Sequence, residues 1–244
     1  MVMFARQKRS LISSLARTDY VLMVVSGIML GLHFETFILA VKFTTVANAT
    51  FLVNTSPIML AVLSQRVIKE RTSSRENIGA LIAILGVLLV ADAGNGFRYF
   101  GLADASALLA AFLISFYSLI GRFLRTHGVN AACYTAYVYS TAAIVAFSLA
   151  EMFGSNPFEI YDASNMIAIF SLALLPTILG HSLYNYSLGS VKVVTANLFS
   201  LLEPIIASGF AVLLFGETPT LIQLMGYVLI VTAVGVVVTS SIDS

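Results

Sequence analysis

Apolar stretches of bilayer-crossing length follow one another along this chain, with polar junctions between them. About 20 apolar residues cross a membrane as one helix. The pattern predicts eight spans, at Tyr20–Val41, Val46–Gln65, Ile78–Ala93, Leu102–Ile120, Ala131–Ala150, Met166–Leu188, Val193–Phe215 and Leu221–Thr239. Glycine, proline and charged residues punctuate the junctions, notably Lys69-Glu70-Arg71 and Gly216-Glu217-Thr218-Pro219. The loops are too short to hold a soluble domain. The expected fold is an all-α integral membrane protein, a bundle of about eight transmembrane helices.

The pattern also repeats. Residues 49–86 align without a gap on residues 196–233, 147 positions later. Ala49 matches Ala196, Pro57 matches Pro204, Glu70 matches Glu217, Gly79 matches Gly226, and Gly86 faces Ala233. Span one corresponds to span six, five crossings on. Five is odd, so the two copies run in opposite directions across the membrane. An inverted-topology repeat of this kind marks carriers in which one half rocks against the other. Residues 1–96 then form an incomplete first repeat of three spans, and residues 97–244 a second repeat of five.

Composition and charge sharpen this picture. The chain is 59% hydrophobic and only 10% charged, where a soluble domain carries about 25% charged residues. Its net charge of +1 argues against a nucleic-acid partner. The single cysteine, Cys133, excludes an intrachain disulfide and a cysteine-based metal site. No cofactor or metal is expected. Orientation follows from lysine and arginine. With the N-terminus in the cytoplasm, eleven basic residues lie inside (Arg6, Lys8, Arg9, Arg17, Arg66, Lys69, Arg71, Arg75, Arg122, Arg125 and Lys192) against Lys42 and Arg98 outside. Both termini are therefore expected in the cytoplasm, with the Phe97–Gly101 and Asn156–Asp162 segments outside. The first apolar segment has no small-residue cleavage signature and reads as a retained span.

The chain resembles the EamA-type branch of the drug/metabolite transporter superfamily. In the first half the matching residues are Leu32-His33-Phe34, Phe43 to Ala49, Ser56-Pro57-Ile58, Lys69-Glu70-Arg71 and the helix Gly79 to Gly86. In the second they are Gly180 to Tyr186, Leu202-Glu203-Pro204-Ile205 and Phe215-Gly216-Glu217. The resemblance covers Leu15 to about Val238. It implies ten spans with cytoplasmic termini, so the first two of ten are expected to be missing here. Either a start lies further upstream, or a second copy or a partner chain supplies the missing spans, or the product is inactive.

Several polar residues inside the spans are candidates for a substrate or coupling site. Glu203 stands mid-span before Pro204, and an intramembrane carboxylate is costly enough to suggest function. Pro204 also frees the Ser200 carbonyl, and Pro57 frees that of Val53. Capping of a neighbouring helix is the structural alternative for Glu203. His181, Tyr184 and Asn185 share one helical face. They read as a cavity wall or as a packed hydrogen-bond network. His33 and Glu35 lie about 200° apart on one helix, so only one can face a given cavity. Either His33 or His181 has the chemistry for proton-linked transport. The expected site is a midplane cavity between the halves, lined by His33, Asn54, Tyr117, His181, Tyr184, Asn185 and Glu203. Gly79, Ala83 and Gly86, echoed by Gly226 and Ala233, predict close helix packing. Glu70 and Glu217 read as helix-terminus charges.

The expected function is secondary transport of small organic solutes or metabolites by alternating access. The alternatives are a transport-incompetent truncated chain, a membrane scaffold subunit, or an intramembrane enzyme. Against the enzyme stands the lack of a G-x-S-x-G elbow, an H-E-x-x-H zinc motif or paired intramembrane aspartates. The chain also carries no P-loop for ATP-driven pumping.

Overall fold

A computed structural model of the chain describes residues 15–91, 101–154, 156, 162–216 and 218–242. Every regular element among them is helical. In chain order these are α1 (Arg17–Phe43), α2 (Val46–Val53), α3 (Ser56–Val67), α4 (Ser74–Ala91), α5 (Leu102–Thr126) and α6 (Ala131–Met152). There follow α7 (Ala163–Leu172), a π-helical segment (Ala173–His181), α8 (Ser182–Ser187), α9 (Val193–Ser200), α10 (Glu203–Phe215) and α11 (Leu221–Ile242). Arg6, Lys8, Arg9, Asp92, Arg98 and Glu217 lie outside the described residues, as does most of the two segments expected to face outward.

Among the described residues, seven helical segments are long and apolar enough to cross a membrane. The expected span Val46–Gln65 is not one of them; like Val193–Phe215 it is broken, here into α2 and α3. The cause is in the sequence. Pro57 has no N–H to offer the Val53 carbonyl, and α2 ends at Val53. Pro204 does the same to Ser200, where α9 ends. Two backbone bonds at each break match across the 147-residue shift. Thr55 N–H donates to Leu52 O and Ile58 N–H to Thr55 O. In the second copy Leu202 N–H donates to Phe199 O and Ile205 N–H to Leu202 O.

Pro176 has a different outcome. It deprives Leu172 O of its helical donor, and the Thr177 hydroxyl fills the gap at 3.2 Å. The backbone passes the proline as a wide π turn instead of breaking.

Helix starts follow local chemistry. Thr45, Asn130 and Asp162 each accept a backbone N–H two or three residues on. Helices α4 and α11 both begin with a capping box. Ser73 Oγ accepts from Glu76 N–H while Glu76 Oε2 accepts from Ser73 N–H. Thr220 and Gln223, their repeat images, make the same reciprocal pair.

The chain packs as two compact units. Unit one comprises Met1–Leu32 and Phe116–Val191; unit two comprises His33–Ser115 and Lys192–Ser244. In unit one, α1 approaches α6 so closely that a Cβ at Gly27 would meet Val138 O at 2.7 Å. In unit two, α4 and α11 form the central seam. A Cβ at Gly79 would meet Val237 Cγ2 at 2.6 Å and Ala233 O at 3.2 Å. One at Gly226 would meet Val90 Cγ2 at 2.7 Å and Gly86 O at 2.6 Å. Each contact is the image of the other under the repeat shift. The two helices therefore cross antiparallel about a local two-fold, as an inverted repeat requires. The expected small-residue stripe is this seam.

Candidate functional site

In unit one, α5 presents Tyr117 and Ser118 toward the end of span six. Tyr117 is fully buried and donates to Asn185 Oδ1 at 2.8 Å. Asn185, also fully buried, directs its amide at the Tyr139 hydroxyl 3.5 Å away. Tyr139 in turn lies 3.1 Å from Ser182 Oγ. Tyr184 donates to Ser118 Oγ at 2.8 Å. The His181 ring meets the Tyr117 ring edge-on, with centroids 6.0 Å apart. Four expected site residues, Tyr117, His181, Tyr184 and Asn185, thus form one cluster. The spacing i, i+3, i+4 along 181–185 puts three of them on one face, and the π segment sets where that face begins.

The cluster is held by two arginines. Arg125 Nε donates to Asn185 O at 3.1 Å and Arg122 Nη1 to Leu188 O at 2.7 Å. These carbonyls close α8 and would otherwise be left without helical donors. Below them Tyr134, fully buried, contacts Ser26 Oγ at 2.6 Å. Arg122 and Arg125, two of the basic residues that set the expected orientation, thus also fix the backbone around Asn185.

Asn185→Ala would strand the buried Tyr117 hydroxyl. The expected cost is about 1–3 kcal/mol, read as a fall in thermal stability of the detergent-purified protein. Adding Tyr117→Phe should recover part of it, because removing both partners costs less than orphaning one.

Unit two holds His33, Asn54 and Glu203. His33 is buried, with Nδ1 2.9 Å from Ala110 O. A carbonyl only accepts, so in the neutral ring Nδ1 carries the proton. Asn54 closes α2 at the break, half-buried. Glu203 opens α10 at the matching break and is exposed. Its repeat image is Ser56, buried, which donates to Asn197 Oδ1 at 3.0 Å.

Unit two also contains a polar group that the sequence does not single out. Glu76 is buried and accepts from Thr195 Oγ1 at 2.7 Å and Lys192 Nζ at 3.2 Å. Glu70 Oε2 accepts from Val193 N–H at 2.9 Å. Glu70 is thus a helix-terminus charge on α9 of the other copy. The one sequence signal for Glu76 is the repeated Ser/Thr-x-x-Glu/Gln spacing. No group of three or more metal-ligating side chains occurs among the described residues.

Comparison with known proteins agrees with this architecture. The EamA-like transporter family matches residues 1–91 and 101–239. An uncharacterized transporter of Bacillus subtilis (strain 168), YdfC, is 31% identical over 212 residues, 84% of this chain and 67% of its own. A probable amino-acid metabolite efflux pump of Salmonella typhimurium (strain LT2) is 26% identical over 88% of this chain and 76% of its own. A solved crystal structure superimposes with a TM-score of 0.73 at 19% identity, covering 94% of this chain and 81% of that one. The family match and the relatives named transporters make this chain a multi-pass membrane transporter of small solutes. The chain belongs to the EamA-like transporter family.

Proposed function

We propose that this protein is a secondary transporter of small organic solutes that works by alternating access. The observation that carries the reading is the pair of matching helix breaks in oppositely directed spans. Discontinuous helices of this kind expose backbone polar groups at mid-membrane, where carriers hold their cargo. Amino-acid metabolites are the solute class we favour, because the Salmonella relative is a probable amino-acid metabolite efflux pump. His33, Asn54, Tyr117, His181, Tyr184, Asn185 and Glu203 are the proposed substrate or coupling residues. Within that set Tyr117 and Asn185 shape the site through each other, while Glu203 contacts the solute or the coupling ion. No catalytic chemistry is assigned to it. Residues 1–96 and 97–244 are the proposed repeats.

The test is counterflow in proteoliposomes loaded with a panel of unlabelled amino acids and their derivatives. Labelled solute should enter faster than into protein-free liposomes. Entry at the protein-free rate for the whole panel would overturn the reading.

We place the protein in the plasma membrane, and the basic-residue bias supports cytoplasmic positions for both termini. Single cysteines at Ser74 and Asn156, on a Cys133→Ala background, should then react with impermeant maleimide from opposite sides. Same-side labelling would reject that topology.

A further inference from the structure

Unit two contains α2, α3 and α4 of one copy and their images α9, α10 and α11 of the other. Its contacts can therefore be compared image by image. The α4–α11 seam maps onto itself. The rest of the unit does not. Helix α9 packs on both α3 and α4, yet α2 makes no comparable contact with α10 or α11 among the described residues. Residues 193–198 at the start of α9 are all buried, whereas several of their images in α2 are half-buried or exposed.

The hydrogen bonds divide in the same way. At one end of the unit Glu76 carries its capping box and also binds Thr195 and Lys192 of the other copy. At the other end Gln223 keeps the capping box alone. The image of Thr195 is Asn48, and its amide is turned to Asp104 and Thr44 instead. The Ser56–Asn197 bond has as its image Glu203 with Thr50. Neither of those side chains makes a hydrogen bond among the described residues.

We propose that Glu76 with Lys192 and Thr195, together with Ser56–Asn197, forms a latch that closes one end of unit two. In a second arrangement this latch opens, and its image closes the opposite end through Thr50–Glu203 and Asn48–Gln223. The inference rests on the alternating-access reading, and it names the groups that exchange. The chemistry also explains which latch holds here. The Glu76 latch contains a charge pair, whereas Gln223 and Asn48 offer only neutral partners, and charge-assisted hydrogen bonds are roughly twice as strong. The inequality biases the unit toward the arrangement observed. Glu203 supplies the only carboxylate of the image latch, which gives the break residue a conformational role beside the one proposed for it in solute or ion binding.

Two double-cysteine proteins test this on a Cys133→Ala background in proteoliposomes. Ser56→Cys/Asn197→Cys should cross-link readily under mild oxidation or with a short bifunctional thiol reagent, read by mass spectrometry of the digested peptides. Thr50→Cys/Glu203→Cys should cross-link weakly. Its yield should rise about tenfold when Glu76→Gln is added, the population change for loss of one charge-assisted bond. Thr195→Val, which removes one hydrogen bond at near-constant volume, should act in the same direction and covers the case in which Glu76→Gln fails to fold. If the second pair stays unlinked in both latch variants while the first pair links, the exchange is wrong. If the first pair fails to link, the closed latch itself is wrong. Cross-linking needs no solute, so it separates this inference from transport. Solute flux without the second cross-link would sink the latch alone, and the second cross-link without flux would sink the transport reading alone.

Discussion

Glu203→Gln is expected to lower gradient-driven solute accumulation in proteoliposomes by at least about tenfold, the loss expected when about 1.4 kcal/mol of coupling is removed. Counterflow of the same solute should survive. The two carboxyl roles open to Glu203 part company in this variant. A group that merely accepts a hydrogen bond at a helix break is replaced well by glutamine, which keeps the shape and one acceptor oxygen. A group that must bind and release a cation or proton is not, because glutamine does not ionise. The position favours the second role. Glu203 is the first residue of α10, before Pro204, and it is exposed in unit two. Its image in the other copy is the smaller, buried Ser56, which is satisfied by Asn197. A purely structural break residue is thus already built in this fold from serine. An ionisable side chain inside a span costs free energy that serine does not. Normal accumulation by Glu203→Gln across pH 5–8, with protein recovered in the membrane fraction, would remove Glu203 from the coupling step.

Much of this architecture is legible in the amino-acid sequence itself. Pro57 and Pro204 fix the two breaks, since a missing N–H acts on the carbonyl four residues earlier whatever surrounds it. The same rule at Pro176 predicts a disturbed span but not its form. The difference is Thr177, whose hydroxyl reaches Leu172 O and lets the helix continue as a π turn. Glycine spacing on α4 and α11 marks the seam because close approach tolerates only small residues.

Long-range pairing is what periodicity leaves out. That Tyr117 meets Asn185, or Glu76 meets Thr195, depends on how helices remote in sequence cross. Helical spacing gives the face of 181–185 but not what lies opposite. Glu76 is hidden for a further reason. Near the start of a helix it reads as an ordinary capping-box acid, and it becomes part of the latch only when α9 arrives over it. Arg122 and Arg125 illustrate the converse. In the sequence they are bare charges that bear on topology, and in the fold each has a carbonyl to bind.

Adding a single methyl at the α4–α11 seam should be among the most damaging conservative changes in the molecule. A Cβ at Gly226 would sit 2.6 Å from Gly86 O and 2.7 Å from Val90 Cγ2, and one at Gly86 would sit 2.8 Å from Gly226 O. The nearest obstacle at Gly226 is backbone, so no rotamer change relieves it and the helices must part. Overpacking of this kind costs about 1–3 kcal/mol. It is opposed by the gain in helix propensity from glycine to alanine of about 1 kcal/mol. Gly209, on α10, has nothing within 4 Å of its added Cβ and so isolates the propensity term. Gly209→Ala is expected to leave thermal stability unchanged or slightly raised. Gly226→Ala should lower it, and Gly226→Leu should abolish recovery of folded protein from the membrane. The double variant Gly86→Ala/Gly226→Ala gives the sharper test. Gly86 and Gly226 face each other across one contact, so a separation forced by the first methyl already makes room for the second. The combined loss should fall clearly short of the sum of the single losses, outside the roughly 0.3–0.5 kcal/mol scatter typical of independent sites. Full additivity, or a Gly226→Ala protein as stable as Gly209→Ala, would mean that α4 and α11 are not in contact at these glycines.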